Sequence, residues 1–214
     1  MPLIPALIFF YVGATDATGL LNAVGPIVAV LLAMSIYTDV SYDNTAFALH
    51  LQKGVSGRDD RLGRVIALAV FAVPVSLLLT IGSVALTGTW NFLPGLLAIT
   101  VGVLLTGFAV SSLISGAFIF PVPVPGESPF KSKPGGGFSL MLSTFASWAI
   151  MGVLILPELL LAVASFAGFA WAGWVALVVA IVLGSVLLAL GVRFGGRILD
   201  NRGPELLSKL QAQK

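Results

Sequence analysis

The 214-residue chain has no cysteine and one histidine, His50. The first absence excludes disulfides and thiol catalysis. Together the two argue against a transition-metal site built by this chain alone, because such sites draw on Cys and His. Charge is also scarce. Asp, Glu, Lys and Arg make up 9% of the residues, against about 25% in a soluble domain. The opening MPLIPALIFF lacks the basic region of a signal peptide. The phosphate loop G-x-x-x-x-G-K-[ST] is missing, as are H-E-x-x-H and G-x-S-x-G. The PGGG run at 134–137 stands outside the strand–helix setting of a phosphate cradle and reads as flexible linker. No catalytic residue, metal site or cofactor is assigned to this chain, and it is not expected to be an enzyme. A net charge of +2 gives no reason to expect a nucleic-acid partner.

What fills the chain is apolar sequence, 58% of it hydrophobic, with a mean hydropathy of +1.06. That is the composition of an integral membrane protein. The reading is an all-α, polytopic membrane helix bundle in one domain, 1–214, contacting lipid. Five stretches are long enough to cross a bilayer as helices: 20–40, 65–87, 92–120, 140–166 and 171–192. Residues 1–13 are apolar but too short, and Pro2 and Pro5 weaken a helix there. They read as an interfacial lead-in or as the end of an earlier span, which leaves open whether the chain is a fragment. Pro74 is expected to kink the second full span. In the third, Ser111 with Ser115 and Ser112 with Gly116 set small residues four apart, a pattern that favours close helix packing in lipid. Residues 121–139 hold five prolines and four glycines, so they form a turn-rich loop. Trp171 and Trp174 suit a membrane–water interface. The tail 193–214 is polar and basic, with a short amphipathic helix expected over 204–213.

The eleven cationic residues are unevenly placed. Lys53, Arg58, Arg61 and Arg64 fall in 41–64, and Lys131 and Lys133 in the Pro/Gly loop. Arg193, Arg197, Arg202, Lys209 and Lys214 fall in the tail. The alternate connections, 14–19, 88–91 and 167–170, have none. Cytoplasmic loops are enriched in Lys and Arg, so 41–64, the Pro/Gly loop and the C-terminus are assigned to the cytoplasm.

Segment 41–64 is the largest polar stretch between two spans. Ser41, Asp43 and Asn44 are good helix caps. Residues 45–52 then read as a short helix with Phe47 and Leu51 on one face and His50 on its surface, ended by Gly54. Two uses remain open: an amphipathic helix on the inner leaflet, or helix-in-groove docking on a cytosolic partner. Asp39 and Asp43, four apart, are placed to pair with Arg61 or Arg64, more often a structural than a catalytic use.

Pro157 and Glu158 interrupt the fourth span. Glu158 lies eight residues from Phe166, about 12 Å along a helix, and Pro157 cannot make the normal helical hydrogen bond. The pair marks a helix break. Either Glu158 faces interfacial water at a helix end, or it contacts a proton or substrate within the membrane.

The stretches DNTAFALH, GVSGRDDRLGR and PVPVPGESPF, with the spans around them, resemble the C-terminal part of actinobacterial-type ABC-2 exporter permeases over roughly residues 20–197. The resemblance implies a six-helix half that pairs with a second permease half and with a cytosolic ATPase subunit carrying the ATP. That second half is another copy or a missing N-terminal half. It also implies a coupling helix over 43–52 seated in a groove of the ATPase. The implied docking set is Asp43, Asn44, Phe47, His50 and Leu51, with Arg58 and Arg61. A re-entrant segment between the last two spans would accommodate Pro157 and Glu158. The chain is therefore expected to be a multi-pass plasma-membrane permease subunit of an ATP-driven efflux system. The alternatives are a secondary transporter or membrane-embedded enzyme using Glu158, and a non-transporting accessory protein.

Overall fold

The structure is a computed structural model that describes residues 17–43, 53–118 and 137–211. Among these residues there are helices and turns and no strand. Four helical stretches are long and apolar enough to cross a membrane, and a bent helix pair makes a fifth if it counts as one span.

Helix α1 covers Ala17–Ala33. A one-turn 3-10 segment, Ser35–Thr38, carries the apolar pass onward to a short helix α2, Asp39–Asp43. Ser35 at this change of pitch donates its hydroxyl to the Leu32 carbonyl at 2.8 Å.

Helix α3 runs Gly57–Thr87 and begins eight residues before the apolar stretch that starts at Val65. The charged cluster 58–64, expected as a lead-in, is therefore itself helical. Local chemistry accounts for the early start. Ser56 caps the helix by accepting from the Asp59 amide at 3.1 Å and donating to the Asp59 carboxylate at 2.7 Å. Asp59 and Asp60 place negative charge in the first turn, where the helix dipole favours it. At the far end Gly88 closes the helix with φ +70°, a conformation glycine adopts without strain. At 1.5 Å per residue α3 is about 46 Å long, longer than a hydrocarbon core of about 30 Å.

A 3-10 turn, Trp90–Phe92, leads into α4, Leu93–Ala117, with Pro94 in its first turn. Helix α4 is the axis of the bundle. Most of its residues are buried, and it touches α1, α3 and the three helices that follow it. It carries no charged residue.

Helices α5, Gly137–Leu154, and α6, Leu156–Phe166, replace the single span expected over 140–166. Their axes differ by 60°. The break centres on Ile155, just before Pro157. Proline has no amide to donate to the carbonyl four residues back, so the first helix stops and a second starts with the proline in its first turn.

Helix α7, Ala170–Gln211, is one 42-residue helix with Pro204 inside it. The expected span end at 192, followed by a separate tail helix, is not what forms. Gly195 and Gly196 pass through without a break because neighbouring backbones pack on them. A Cβ at Gly195 would strike the Ser112 carbonyl, and one at Gly196 would stand 2.5 Å from the Arg58 nitrogen. The same contact recurs along the α4–α7 seam: Gly184 lies against Leu105, Gly191 against Ala109, and Gly116 against Gly195. Small residues let the two axes approach closely, which is how helices gain contact where no hydrophobic force separates lipid from protein. Ser112 and Gly116, singled out in the sequence for packing, lie in this seam.

Candidate functional site

Charged side chains gather at one end of the bundle, where α2, the first turns of α3 and the last turn of α4 meet. Arg61 on α3 is 1% exposed. Its guanidinium donates to Asp39 of α2 at 3.1 Å, to Ser115 of α4 at 2.9 Å and, through Nε, to Asp60 at 3.0 Å. Ser115 in turn donates to Asp39. One turn along α3, Arg64 binds Asp60 through Nε at 3.1 Å, reaches Asp39 at 3.3 Å, and pairs with Asp43. Three carboxylates thus share two guanidiniums. A buried charge is tolerated only when it is paired and hydrogen-bonded, and the planar fork of Arg61 suits it to reach three partners on three helices.

The cluster joins the two flanks of segment 44–56. The preceding flank ends in Asp39 and Asp43, and the following flank carries Arg61 and Arg64. The ion pairs therefore clamp the two flanks to each other, and Ser115 ties both to the central helix. Two further contacts bring in α7. The Gly57 amide donates to Asp200 at 2.6 Å, and Arg202 donates to the Ala117 carbonyl at 3.1 Å while pairing with Glu205.

The residues assigned to partner docking divide under this geometry. Asp43 is engaged with Arg64. Arg61 is turned inward, and its guanidinium is not presented at the surface, because Asp39, Asp60 and Ser115 hold it inside. Arg58 is exposed. Asn44, Phe47, His50 and Leu51 lie outside the described residues, as do 1–13 and most of the Pro/Gly loop. The pairing of Asp39 and Asp43 with Arg61 and Arg64 is present. Sequence reasoning missed the roles of Asp60, Asp200 and Arg202. For Asp60 a signal existed, since Arg64 follows it by four residues, one helical turn.

The opposite end is joined by neutral groups. Asn22 of α1 donates to Thr89 at 2.9 Å, Thr87 donates to Asn22 at 3.1 Å, and the Thr87 and Thr89 hydroxyls lie 2.7 Å apart. Phe92 and Phe166 meet edge to face with ring centres 5.3 Å apart. Trp90, Trp171 and Trp174 are exposed near this end, as expected of residues at a membrane–water boundary.

Glu158 sits between the two ends, in the first turn of α6. It does not face interfacial water. It is 1% exposed, and its carboxyl lies against Gly102 of α4, where a Cβ would stand 2.6 Å from Oε1. Among the described residues, neither carboxyl oxygen has a hydrogen-bond partner from another residue. Among the described residues, no group of three His, Asp or Glu side chains is arranged to hold a metal ion.

The chain matches no protein-family model, no curated protein and no solved structure.

Proposed function

We propose that the chain is the membrane-spanning permease subunit of an ATP-driven exporter of the ABC-2 type. In this reading it crosses the plasma membrane five times in the described part, with the charged end and the C-terminus in the cytoplasm. The segment 41–64 docks on a separate ATPase subunit, which supplies the ATP, and a second permease half completes the pathway. The observation that carries the proposal is the clamp formed by Asp39, Asp43, Asp60, Arg61, Arg64 and Ser115. A loop on flexible flanks would absorb a push. A segment whose flanks are ion-paired to each other and bonded to α4 passes the push to α1, α3 and α4 together. Rigid-body rocking of a bundle about its packed contacts is the class of motion this serves. Phe47 and Leu51 supply the apolar face that enters the ATPase groove.

The test is co-purification with a co-expressed ABC-type ATPase subunit, followed by ATP-dependent efflux in vesicles. Phe47→Asp with Leu51→Asp is expected to abolish both while the chain still inserts and folds. Unchanged assembly and efflux would remove the coupling claim. Transport that needs no ATP but is lost in Glu158→Gln would favour the alternative, a secondary transporter.

A further inference from the structure

We propose that Glu158 is a proton-binding site inside the membrane, charged and discharged reversibly at the break between α5 and α6. The inference stands apart from the ATPase reading and rests on four observations.

The first is isolation. Both carboxyl oxygens are buried and unpartnered, while the side chain is 1% exposed. An ionised carboxylate in such surroundings carries a desolvation cost that no side chain of another described residue repays; only its own backbone amide and the first-turn dipole of α6 act against it. The second is the absence of a counter-charge among the described residues. The elements packed against α6 are α4, α5, α7 and the Trp90–Phe92 turn. Neither α4, α5 nor that turn contains an Asp, Glu, His, Lys, Arg or Tyr. The charged residues of α7 begin at Arg193, nine residues beyond Gly184, which itself packs on Leu105 of α4. That places Arg193 about 13 Å further along the axis than the Gly184 contact. Asp39, Asp60, Arg61 and Arg64 are all committed to one another at the charged end.

The third observation is tightness. The carboxyl lies directly on Gly102, and a single methyl there would collide with it. On the α4 side, close packing of this kind leaves no room for a further group beside the carboxyl. The fourth is position. Glu158 is three residues past Ile155, where the two helix axes turn by 60°. A broken span at membrane depth persists only where it is buried in protein or lines water. Here the neutral acid lets α6 lie flat on α4. The ionised form would have to leave that contact and reach water through the break. Thr106, one turn beyond Gly102 on α4, has a buried hydroxyl without a partner among the described residues, so α4 offers a further polar atom one turn from the Gly102 contact.

The test uses the full chain in lipid nanodiscs, labelled with carbon-13 at the glutamate side-chain carboxyl. The chain has two other glutamates, Glu127 and Glu205, and Glu127→Gln with Glu205→Gln leaves Glu158 as the sole labelled carboxyl. Carbon-13 spectroscopy then reports its state without altering it. The expected result is a protonated acid at neutral pH that converts to carboxylate under alkaline conditions and returns on reacidification. A carboxylate signal at neutral pH would overturn the proposal. So would a protonated signal that never converts, since the site would then be sealed and not a reversible one.

Discussion

Replacing Arg61 by alanine should be the most damaging single change at the charged end. The mutation removes donors to Asp39, Asp60 and Ser115 at once and leaves Asp39 and Asp60 enclosed, with 13% and 7% of their side chains exposed. Breaking a buried pair from one side costs about 3–5 kcal/mol, because the orphaned charge remains. Arg64 still reaches both carboxylates, which limits the loss, so a cost of about 3 kcal/mol is expected. That corresponds to about two orders of magnitude in the folding equilibrium. Arg61→Lys keeps the charge, but one ammonium does not span three partners on three helices. Its cost should fall between, at about 1–2 kcal/mol. Arg58, three residues earlier and exposed, is the control, and Arg58→Ala should be indistinguishable from the parent. The assay is reversible unfolding in mixed micelles, read by circular dichroism as denaturing detergent is titrated in. Equal stability of Arg61→Ala and Arg58→Ala would refute the idea that this cluster is a buried structural clamp.

Gly195→Ala should destabilise by about 1–3 kcal/mol, because the methyl meets the Ser112 backbone and the α4–α7 seam has to open. Gly63→Ala, where nothing lies within 4 Å, should instead stabilise α3 by about 0.5–1 kcal/mol; the same unfolding assay compares the two. Ser56→Ala removes the cap on α3 and should cost about 1 kcal/mol, with faster amide exchange confined to residues 57–60. Asn22→Leu cuts the bonds to Thr87 and Thr89 and should loosen the neutral end, raising proteolysis or exchange there while the Arg61 cluster keeps its protection.

The sequence was most legible where the apolar runs were long and their ends chemically marked. Thr87 followed by Gly88 ends α3 as expected, because glycine accepts the left-handed conformation that closes a helix. Pro157 announced a break, and the helix axis turns just before it. Which way Glu158 points was not legible. A carboxyl one turn from a break faces water or protein according to what stands opposite, and here that is Gly102, fifty-six residues earlier in the chain. Helix α7 was misjudged for a related reason. The polar, basic composition of 193–214 predicts a span end near 192, but Gly195 and Gly196 are what allow α4 and α3 to approach. Tertiary contact thus overrides the local preference. Arg61 shows the same limit. Composition reads a basic residue in a polar segment as surface, whereas Asp39 and Ser115 on two other helices, with Asp60 beside it on its own, hold it inside. Asp39 and Asp43 were placed correctly because four-residue spacing puts both on one face of a helix, within reach of two arginines three apart.

The central claim is that force on segment 41–64 enters the bundle through an ion-paired clamp. The most direct measurement is ATP-dependent efflux by vesicles holding the chain with the ABC-type ATPase subunit proposed as its partner, comparing the parent with Phe47→Asp/Leu51→Asp and with Arg61→Lys. Loss of ATPase binding in the double variant is predicted, as is retained binding with impaired efflux in Arg61→Lys. Full efflux in both variants would contradict the account.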